Sequence, residues 1–279
     1  MGKPLNYAVI VSDTHCGCQL GLYPCDADIR LDNGGAYQPN LVQQVMWGWW
    51  REFWDEWVPD VTKGNPYAVV VNGDLIDGVH HNSVGQLTHN LDVHRQIAVE
   101  VFRPIVKLCN GHFFVVRGTE AHGGQAGCNE ESIARELEAR PDSSGKFSRY
   151  QLPLRIGRSL VHIKHFIPGC SSQDYMNTAP TKIFNKAHTE ASKWHREAPQ
   201  AIVRSHRHVP TEARISTEAG YGYAIVTAGW QLATSFVQSH GGGEFIDPVV
   251  GGVVLYQHPD QLYPYEKTWK LEPEREETA

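Results

Sequence analysis

The chain has 279 residues, of which 41% are hydrophobic and 20% charged, as is ordinary for a globular protein with a buried core. Its formal net charge of −6 excludes a general basic field that would hold a long polyanion. Neither a secretory signal nor an apolar run of roughly 20 residues is visible, so we expect a cytoplasmic protein with no membrane association and with free thiols.

Several apolar runs predict β-strands. Most are nearly continuous rather than alternating, which is typical of strands covered on both faces. Helical patterns separate them, so we expect an α/β fold. The predicted strands are Tyr7–Val11, Ala68–Val71, Phe113–Val116, Leu160–Ile163, Ala201–Val203, Tyr223–Thr227 and Gly252–Tyr256.

Three helices are predicted. The clearest runs from Leu41 to Trp57, where apolar residues recur on one helical face. We expect the tryptophans of that face in the core, and Trp47, which lies off it, at the surface. The second is predicted over 130–140, and the third begins near Thr178 and ends before Pro199.

Two long connections, 16–40 and 78–95, follow the first two polar clusters of the chain. Loops of this length near strand ends commonly close over a functional site. The stretch 182–207 is locally basic, which fits either a solvated helix face or a wall that attracts a phosphate group. No repeat or linker divides the chain, so we expect a single domain over 1–279 with a flexible tail at 272–279.

Polar clusters, most of them directly after a predicted strand, carry the functional signal. Asp13 and His15 are two residues apart on an extended segment, so both side chains can meet one ion. His206 and His208 have the same spacing, and each can meet a different ion. Since strand ends share one edge of a sheet, such clusters can converge and indicate a binuclear metal site. The clusters are Asp13–His15, Gly73–Asp77, Gly118–His122, His162–His165 and Ser205–His208.

The order of these clusters resembles the calcineurin-like metallophosphoesterases, in which DxH, GDxxD, a Gly–polar–His cluster, a strand-end histidine and HxH follow one another. The resemblance spans residues 7–210, and its loop details resemble the branch often seen in phage and prophage genomes. It implies a four-layer α-β-β-α sandwich, two mixed sheets flanked by helices. The implied function is a metal-dependent phosphoric ester hydrolase that acts on a phosphodiester of the nucleotide or nucleic-acid type.

The resemblance also implies a role for each ligand. One ion would be held by Asp13, His15 and His208, the other by His165 and His206, with Asp74 bridging both. His162 competes with His165, which we prefer because it lies at the end of its apolar run. Asp77 would either support a ligand or cap a turn. Manganese is the first expectation for the two divalent ions, iron or zinc the alternatives, and a hydroxide shared by the ions would attack phosphorus.

The third cluster departs from the family pattern. The family usually has Gly-Asn-His-Asp or Gly-Asn-His-Glu, in which the asparagine is a ligand and the histidine assists the leaving group. Here Gly118 is followed by Thr119-Glu120-Ala121-His122. We therefore expect Glu120, or alternatively Thr119, in the ligand position and His122 in the acid role. Ser205 also replaces the family's glycine before HxH, a milder change that affects loop geometry.

Substrate contacts are expected from Thr119, His81 and Arg207. Other functions stay open, namely a phosphomonoesterase and a catalytically silent scaffold that keeps the fold for protein binding. An amidohydrolase is disfavoured because it would place HxH near the start of the chain. The partner expected from the sequence is a phosphate-ester substrate, a nucleotide or nucleic acid among the candidates, and the oligomeric state stays open.

Overall fold

The computed structural model describes residues 5–80, 83–169, 172–218, 220–234 and 249–271. Two mixed β-sheets pack face to face, and helices cover their outer surfaces. This confirms the predicted α/β fold of two mixed sheets flanked by helices. The predicted tail at 272–279 lies outside the described residues.

The first sheet has a parallel centre and an antiparallel edge. Its parallel strands are β1 (Tyr7–Val11), β2 (Tyr67–Asn72), β3 (Phe113–Val116) and β4 (Ser148–Arg149). Two antiparallel strands, β10 (Val249–Gln257) and β11 (Leu262–Lys270), extend it beyond β1.

The second sheet has a similar plan, with three parallel strands inside two antiparallel edges. From edge to edge its strands are β5 (Leu152–Ile156), β6 (Ser159–Ile163), β7 (Ala201–Arg204), β9 (Gly220–Val226) and β8 (Thr211–Thr217). The carboxyl ends of β6 and β7 lead directly to the predicted ligands His165 and His206.

The helices are α1 (Leu41–Glu52), α2 (Val58–Thr62), α3 (Leu91–Leu108), α4 (Glu120–Gly123), α5 (Cys128–Glu136) and α6 (Thr178–Lys193), with a π-helical segment, Phe53–Trp57, between α1 and α2. None of the helices in the described part of the chain is long and apolar enough to cross a membrane. The Asn40 side chain caps α1 by accepting the Gln43 N–H, which explains the start of this helix.

Among the described residues, three apolar cores hold the layers together. The inner faces of both sheets share one core, and a large aromatic core lies between the first sheet and α1, α3 and α5. Trp50 and Phe53 are buried there as predicted. Trp47 is half-buried: it packs against the same core and also lines an open surface cavity, so the predicted surface position is confirmed in part. A small cluster around Phe184 of α6 covers the second sheet.

The largest difference from the sequence-based expectation is α3. The loop predicted over 78–95 ends earlier, because the Asn90 side chain accepts the Asp92 N–H and begins α3 at Leu91. This helix is interrupted in the sequence by Pro104, which obscures its pattern. Strand β8 is also new, and its alternating burial reflects an edge strand with one face exposed.

Candidate metal centre

The loops that follow β1 and β2 stay paired after the two strands end. The Asp13 N–H donates to the Gly73 carbonyl over 2.9 Å, and the His15 N–H donates to the Asp74 carbonyl over 3.1 Å. Both aspartate side chains are almost completely buried. The first sheet therefore presents two carboxylates side by side at the ends of its central strands.

A layer of buried polar side chains joins the two sheets at the residues that precede the ligands. The Ser12 and Thr227 hydroxyls are 2.8 Å apart, as are the Thr227 and Ser205 hydroxyls, and Asn72 Nδ2 donates to Ser205 Oγ over 2.7 Å. Ser205 stands where the resemblance expects a glycine, and a glycine could make neither contact. The serine thus does more than adjust the loop geometry, because its hydroxyl links the sheets beside HxH.

Asp13, His15 and His208 form the first ligand group, in which all ligand atoms lie within 4.8 Å of one another. Asp13 Oδ1 is 3.2 Å from His208 Nε2 and 4.0 Å from His15 Nε2, and the two imidazole nitrogens are 3.2 Å apart. A tetrahedral ion with bonds of about 2.1 Å separates its ligand atoms by about 3.4 Å, so one divalent ion suits this spacing.

Asp74, His165 and His206 form the second ligand group, within the same 4.8 Å limit. Asp74 Oδ2 is 3.0 Å from His165 Nε2 and 3.9 Å from His206 Nδ1. The two groups adjoin through Asp13, whose Oδ1 lies 3.9 Å from His165 Nε2. Asp74, for which the resemblance implies the bridging role, forms its ion pairs inside the second group as far as the described residues show.

The backbone is unusual at these ligands. Five of the six have positive φ angles, namely Asp13 (54°), His15 (41°), Asp74 (52°), His206 (74°) and His208 (57°). This region costs on the order of 1–3 kcal/mol for a residue with a Cβ, and such residues cluster at functional sites. Nearby, Gly118 has to be glycine, because a Cβ there would collide with Asp74 Oδ1.

Hydrogen bonds to main-chain carbonyls hold three of the imidazole rings, and the longest joins His208 Nδ1–H to the Gln231 carbonyl over 3.4 Å. His165 Nδ1–H donates to the Asn72 carbonyl and His122 Nδ1–H donates to the Asp77 carbonyl, each over 2.6 Å. Because a carbonyl can only accept, the proton of each neutral ring lies on Nδ1. Nε2 of each ring then has a lone pair that an ion or a proton can take.

Asp77 supports the first ligand group from behind. Its Oδ1 lies 3.3 Å from His15 Nδ1 and accepts from Gln231 Nε2 over 3.1 Å, and its Oδ2 accepts from Gln86 Nε2 over 2.7 Å. Asp77 and His15 also belong, with His122, to a third set of atoms within 4.8 Å. Because His15 already offers Nε2 to the first ligand group, the contact on Nδ1 serves to orient its ring.

The electrostatics of the cluster favour a cation. Burial opposes the charged form of His165, yet the carboxylates of Asp74 and Asp13 raise its pKa to about 10. Burial likewise opposes ionisation of Asp13, but the imidazoles of His165 and His208 lower its pKa far below the usual range. Asp13 Oδ1 and His165 Nε2 are buried and form no well-aligned hydrogen bond among the described residues, although each lies within 3.2 Å of an oppositely charged side chain. A divalent ion would satisfy both atoms, so the donor set fits a metal.

The third cluster supplied three expected site residues, Thr119, Glu120 and His122, and the structure gives each a different environment. The Thr119 N–H donates to Asp74 Oδ1 over 2.7 Å, and its hydroxyl lies 3.2 Å from the same oxygen, so Thr119 holds Asp74. Glu120 begins α4, is exposed, and belongs to none of the ligand sets in the described ranges. His122 is half-buried, with its ring 4.4 Å from that of His15. Burial and His15 lower the pKa of His122 to about 4, so its ring is neutral at pH 7.

A buried carboxyl group that sequence analysis missed lies behind this turn. Glu130, in the first turn of α5, is fully buried, and its Oε2 accepts the Gly118 N–H over 2.8 Å. Burial and the charge of Asp74 raise the pKa of Glu130 to about 7. The adjacent amides of Gly118 and Thr119 are thus held by two carboxyl groups, Glu130 and Asp74. In the sequence Glu130 resembles an ordinary acidic residue at a helix start, so no local signal marks it.

His162 and His165 are clearly separated by the structure. His162 contacts Gln151 Oε1 over 3.1 Å, and Arg204 Nη2 lies 3.2 Å from its Nδ1. Burial and the charge of Arg204 lower the pKa of His162 to about 4. His165, three residues later, is the histidine brought to Asp74.

The guanidinium of Arg207, expected to bind substrate, makes main-chain contacts. Its Nε donates to the Pro168 carbonyl over 2.7 Å and its Nη1 to the Met176 carbonyl over 3.0 Å. Arg207 therefore braces the segment that follows His165 against the HxH turn. His81, the third residue expected at the substrate, lies outside the described residues.

Neither a protein-family model nor a curated protein matches this chain. Among solved structures it is similar to the Thermotoga maritima protein TM1076, determined by solution NMR, with a TM-score of 0.35 and 12% identity over 95% of this chain and 100% of that chain. It is also similar to Vacuolar Protein Sorting 29 from Cryptosporidium parvum, with a TM-score of 0.34 and 9% identity over 97% and 100% of the two chains. At these TM-scores the likenesses carry no functional argument.

Proposed function

We propose that this protein is a metal-dependent phosphoric ester hydrolase that acts on phosphodiesters of the nucleotide or nucleic-acid type. The observation that carries the proposal is the convergence of two ligand groups, which adjoin through Asp13 Oδ1 and His165 Nε2 at 3.9 Å. Phosphatases and nucleases use pairs of ions about 3.5–4 Å apart. Two such ions, when bound, neutralise charge on phosphoryl oxygens and make water more acidic.

The donor chemistry supports the choice of metal. Each ligand group combines one carboxylate with two imidazoles. This mixture suits manganese, iron or zinc better than calcium or magnesium, which prefer oxygen ligands alone. We propose manganese first because carboxylate ligands suit it, with iron and zinc, which imidazole suits, as the alternatives.

His122 is proposed to move the proton. Its Nδ1–H is held by the Asp77 carbonyl, and its pKa of about 4 keeps the ring neutral at pH 7. The ring can therefore take a proton on Nε2 from solvent water and give that proton to the leaving oxygen, on the side opposite the attack. The resemblance implies that His122 acts as an acid. Because its ring is neutral, it must take up a proton before it can donate one to the leaving oxygen.

Hydrolysis of bis-(p-nitrophenyl) phosphate by manganese-loaded protein tests the proposal. We expect turnover that depends on the metal and is lost with a chelator, at a higher kcat/KM than on p-nitrophenyl phosphate. Single-stranded DNA, assayed in parallel, separates nucleic acid from small diesters. Absence of turnover with manganese, iron and zinc in folded, metal-loaded protein would favour the silent scaffold, and faster hydrolysis of the monoester would favour a phosphomonoesterase.

A further inference from the structure

Phe166 is unusually exposed for a phenylalanine of this protein. Half of its surface, 50%, faces solvent, whereas Phe53, Phe102 and Phe113 are at most 1% exposed. The other phenylalanines in the described ranges are buried or half-buried. Because Tyr175 and Trp194 are more exposed still, exposure alone does not mark a binding site, and what distinguishes Phe166 is its contact with a ligand of the second group.

The position of Phe166 is fixed from both sides. The carbonyl of the preceding residue, His165, accepts the Ser205 N–H over 2.9 Å. Arg207 holds the Pro168 carbonyl over 2.7 Å on the other side. Because the chain is braced before and after it, Phe166 is preorganised, which lowers the entropic cost of binding.

The Phe166 ring borders the second ligand group. Its centroid lies 5.1 Å from that of His206, with a tilt of 39° between the planes. The His206 side chain is itself 32% exposed, while its partners His165 and Asp74 are almost fully buried. Solvent therefore reaches the second ligand group at His206, the ligand that Phe166 contacts.

We propose that Phe166 is a stacking surface for a flat ring carried by the phosphoester, which deepens the proposed function and rests on it. A ligand whose phosphoryl group lies at the second ligand group would bring a ring on its ester side against the exposed face of Phe166. Aromatic stacking of this kind tolerates any flat ring. Two sources share this chemistry, a nucleobase and a simple aryl group.

Calorimetric binding to manganese-loaded protein tests the stacking surface without requiring turnover. One pair of probes, phenylphosphonate and methylphosphonate, differs by an aryl ring. A second pair, thymidine 5′-phosphate and deoxyribose 5-phosphate, differs by a nucleobase. We expect Phe166→Ala to weaken binding of the ring-bearing probes by about tenfold and of the ringless probes by less than about twofold. Phe166→Tyr should keep wild-type affinity, and Trp194→Ala, which removes an exposed aromatic ring at the end of α6, is the matched control.

The outcomes separate the two proposals. The stacking surface is supported if Phe166→Ala selectively weakens binding of the ring-bearing probe in the aryl pair alone or in both pairs. Only selective weakening in both pairs indicates that a nucleobase can stack on Phe166. Equal weakening of ringed and ringless probes, or no weakening at all, overturns the stacking surface and leaves the metal-centred function standing. If no probe binds the wild-type protein in the presence of manganese, the stacking surface is overturned, whereas the proposed function is decided separately by turnover of bis-(p-nitrophenyl) phosphate.

Discussion

The two ligand groups have the same composition but are held in place by different means. In the first group side chains support His15, which Asp77 orients while Gln86 and Gln231 hold Asp77, and main-chain groups contact Asp13 and His208 only over 3.3–3.4 Å. Main-chain groups support the second, with the Asn72 carbonyl on His165 and the Thr119 amide on Asp74. A side-chain support can be removed by one substitution, whereas a main-chain support depends on the path of the whole turn. The groups should therefore respond differently to mutation.

The largest effect is expected from a ligand itself. Asp74→Asn should lower kcat by at least about a thousandfold, because it weakens the charge balance of the second ligand group where several kcal/mol of stabilisation arise. The steady-state rate on bis-(p-nitrophenyl) phosphate measures the loss. Asp60→Asn, an exposed aspartate on α2 paired with Lys63, is the matched control and should stay within about twofold of wild type. Activity retained by a folded, fully metallated Asp74→Asn protein would contradict the ligand assignment.

Asp77→Asn tests the side-chain support of the first ligand group. An amide cannot hold His15 as a carboxylate does, so metal affinity at one of two sites should fall by about 10–100-fold. Titration with manganese should then show one tight and one weakened site per chain. Equal weakening of both sites would mean that the two groups are not supported separately.

The pH dependence of the free energy of unfolding tests the role of Glu130, whose carboxyl group holds the Gly118 amide beside the second ligand group. Burial and Asp74 raise its pKa from 4.5 to about 7, so the stability it contributes is fully present below pH 4.5 and is lost as the pH rises through 7. In metal-free protein, Glu130→Gln cannot lose a proton and should gain stability relative to wild type with rising pH, by about 2–3 kcal/mol between pH 4.5 and pH 8. Urea unfolding at several pH values measures the difference. A difference that is independent of pH would show that Glu130 titrates normally.

The smallest effect is expected at Glu120. Since its side chain is exposed and outside the ligand groups, Glu120→Gln should keep the metal content and change kcat by less than about twofold. Elemental analysis of the purified protein gives the metal-to-chain ratio. Loss of an ion from Glu120→Gln, with Glu130→Gln unaffected, would restore the ligand role that the sequence pattern suggested for Glu120.

The local pattern of apolar residues was sufficient to predict the strands that end at the metal centre. The observed bounds of β1 and β3 are those predicted, because continuous apolar runs followed by polar residues mark a buried strand and its end. The same rule, applied to the ends of the predicted strands, predicted that Asp13, Asp74 and His206 converge at one site.

The residues that support the ligands could not be predicted from local sequence pattern. Gln231 contacts Asp77 across a separation of 154 residues, and Glu130 is an ordinary glutamate at a helix start until the fold places Gly118 over it. Ser205 was expected to act through loop geometry, but its hydroxyl meets Asn72 on the other sheet. Such contacts depend on how distant segments pack, so the hydrophobic periodicity of the sequence does not predict them.

Diffraction from crystals of manganese-loaded protein, with the anomalous signal of the metal, tests the central claim most directly. The ligand geometry predicts two anomalous peaks per chain, one in contact with Asp13, His15 and His208 and the other with Asp74, His165 and His206. A single peak that touches neither set, or no peak in crystals grown with saturating manganese, would contradict it.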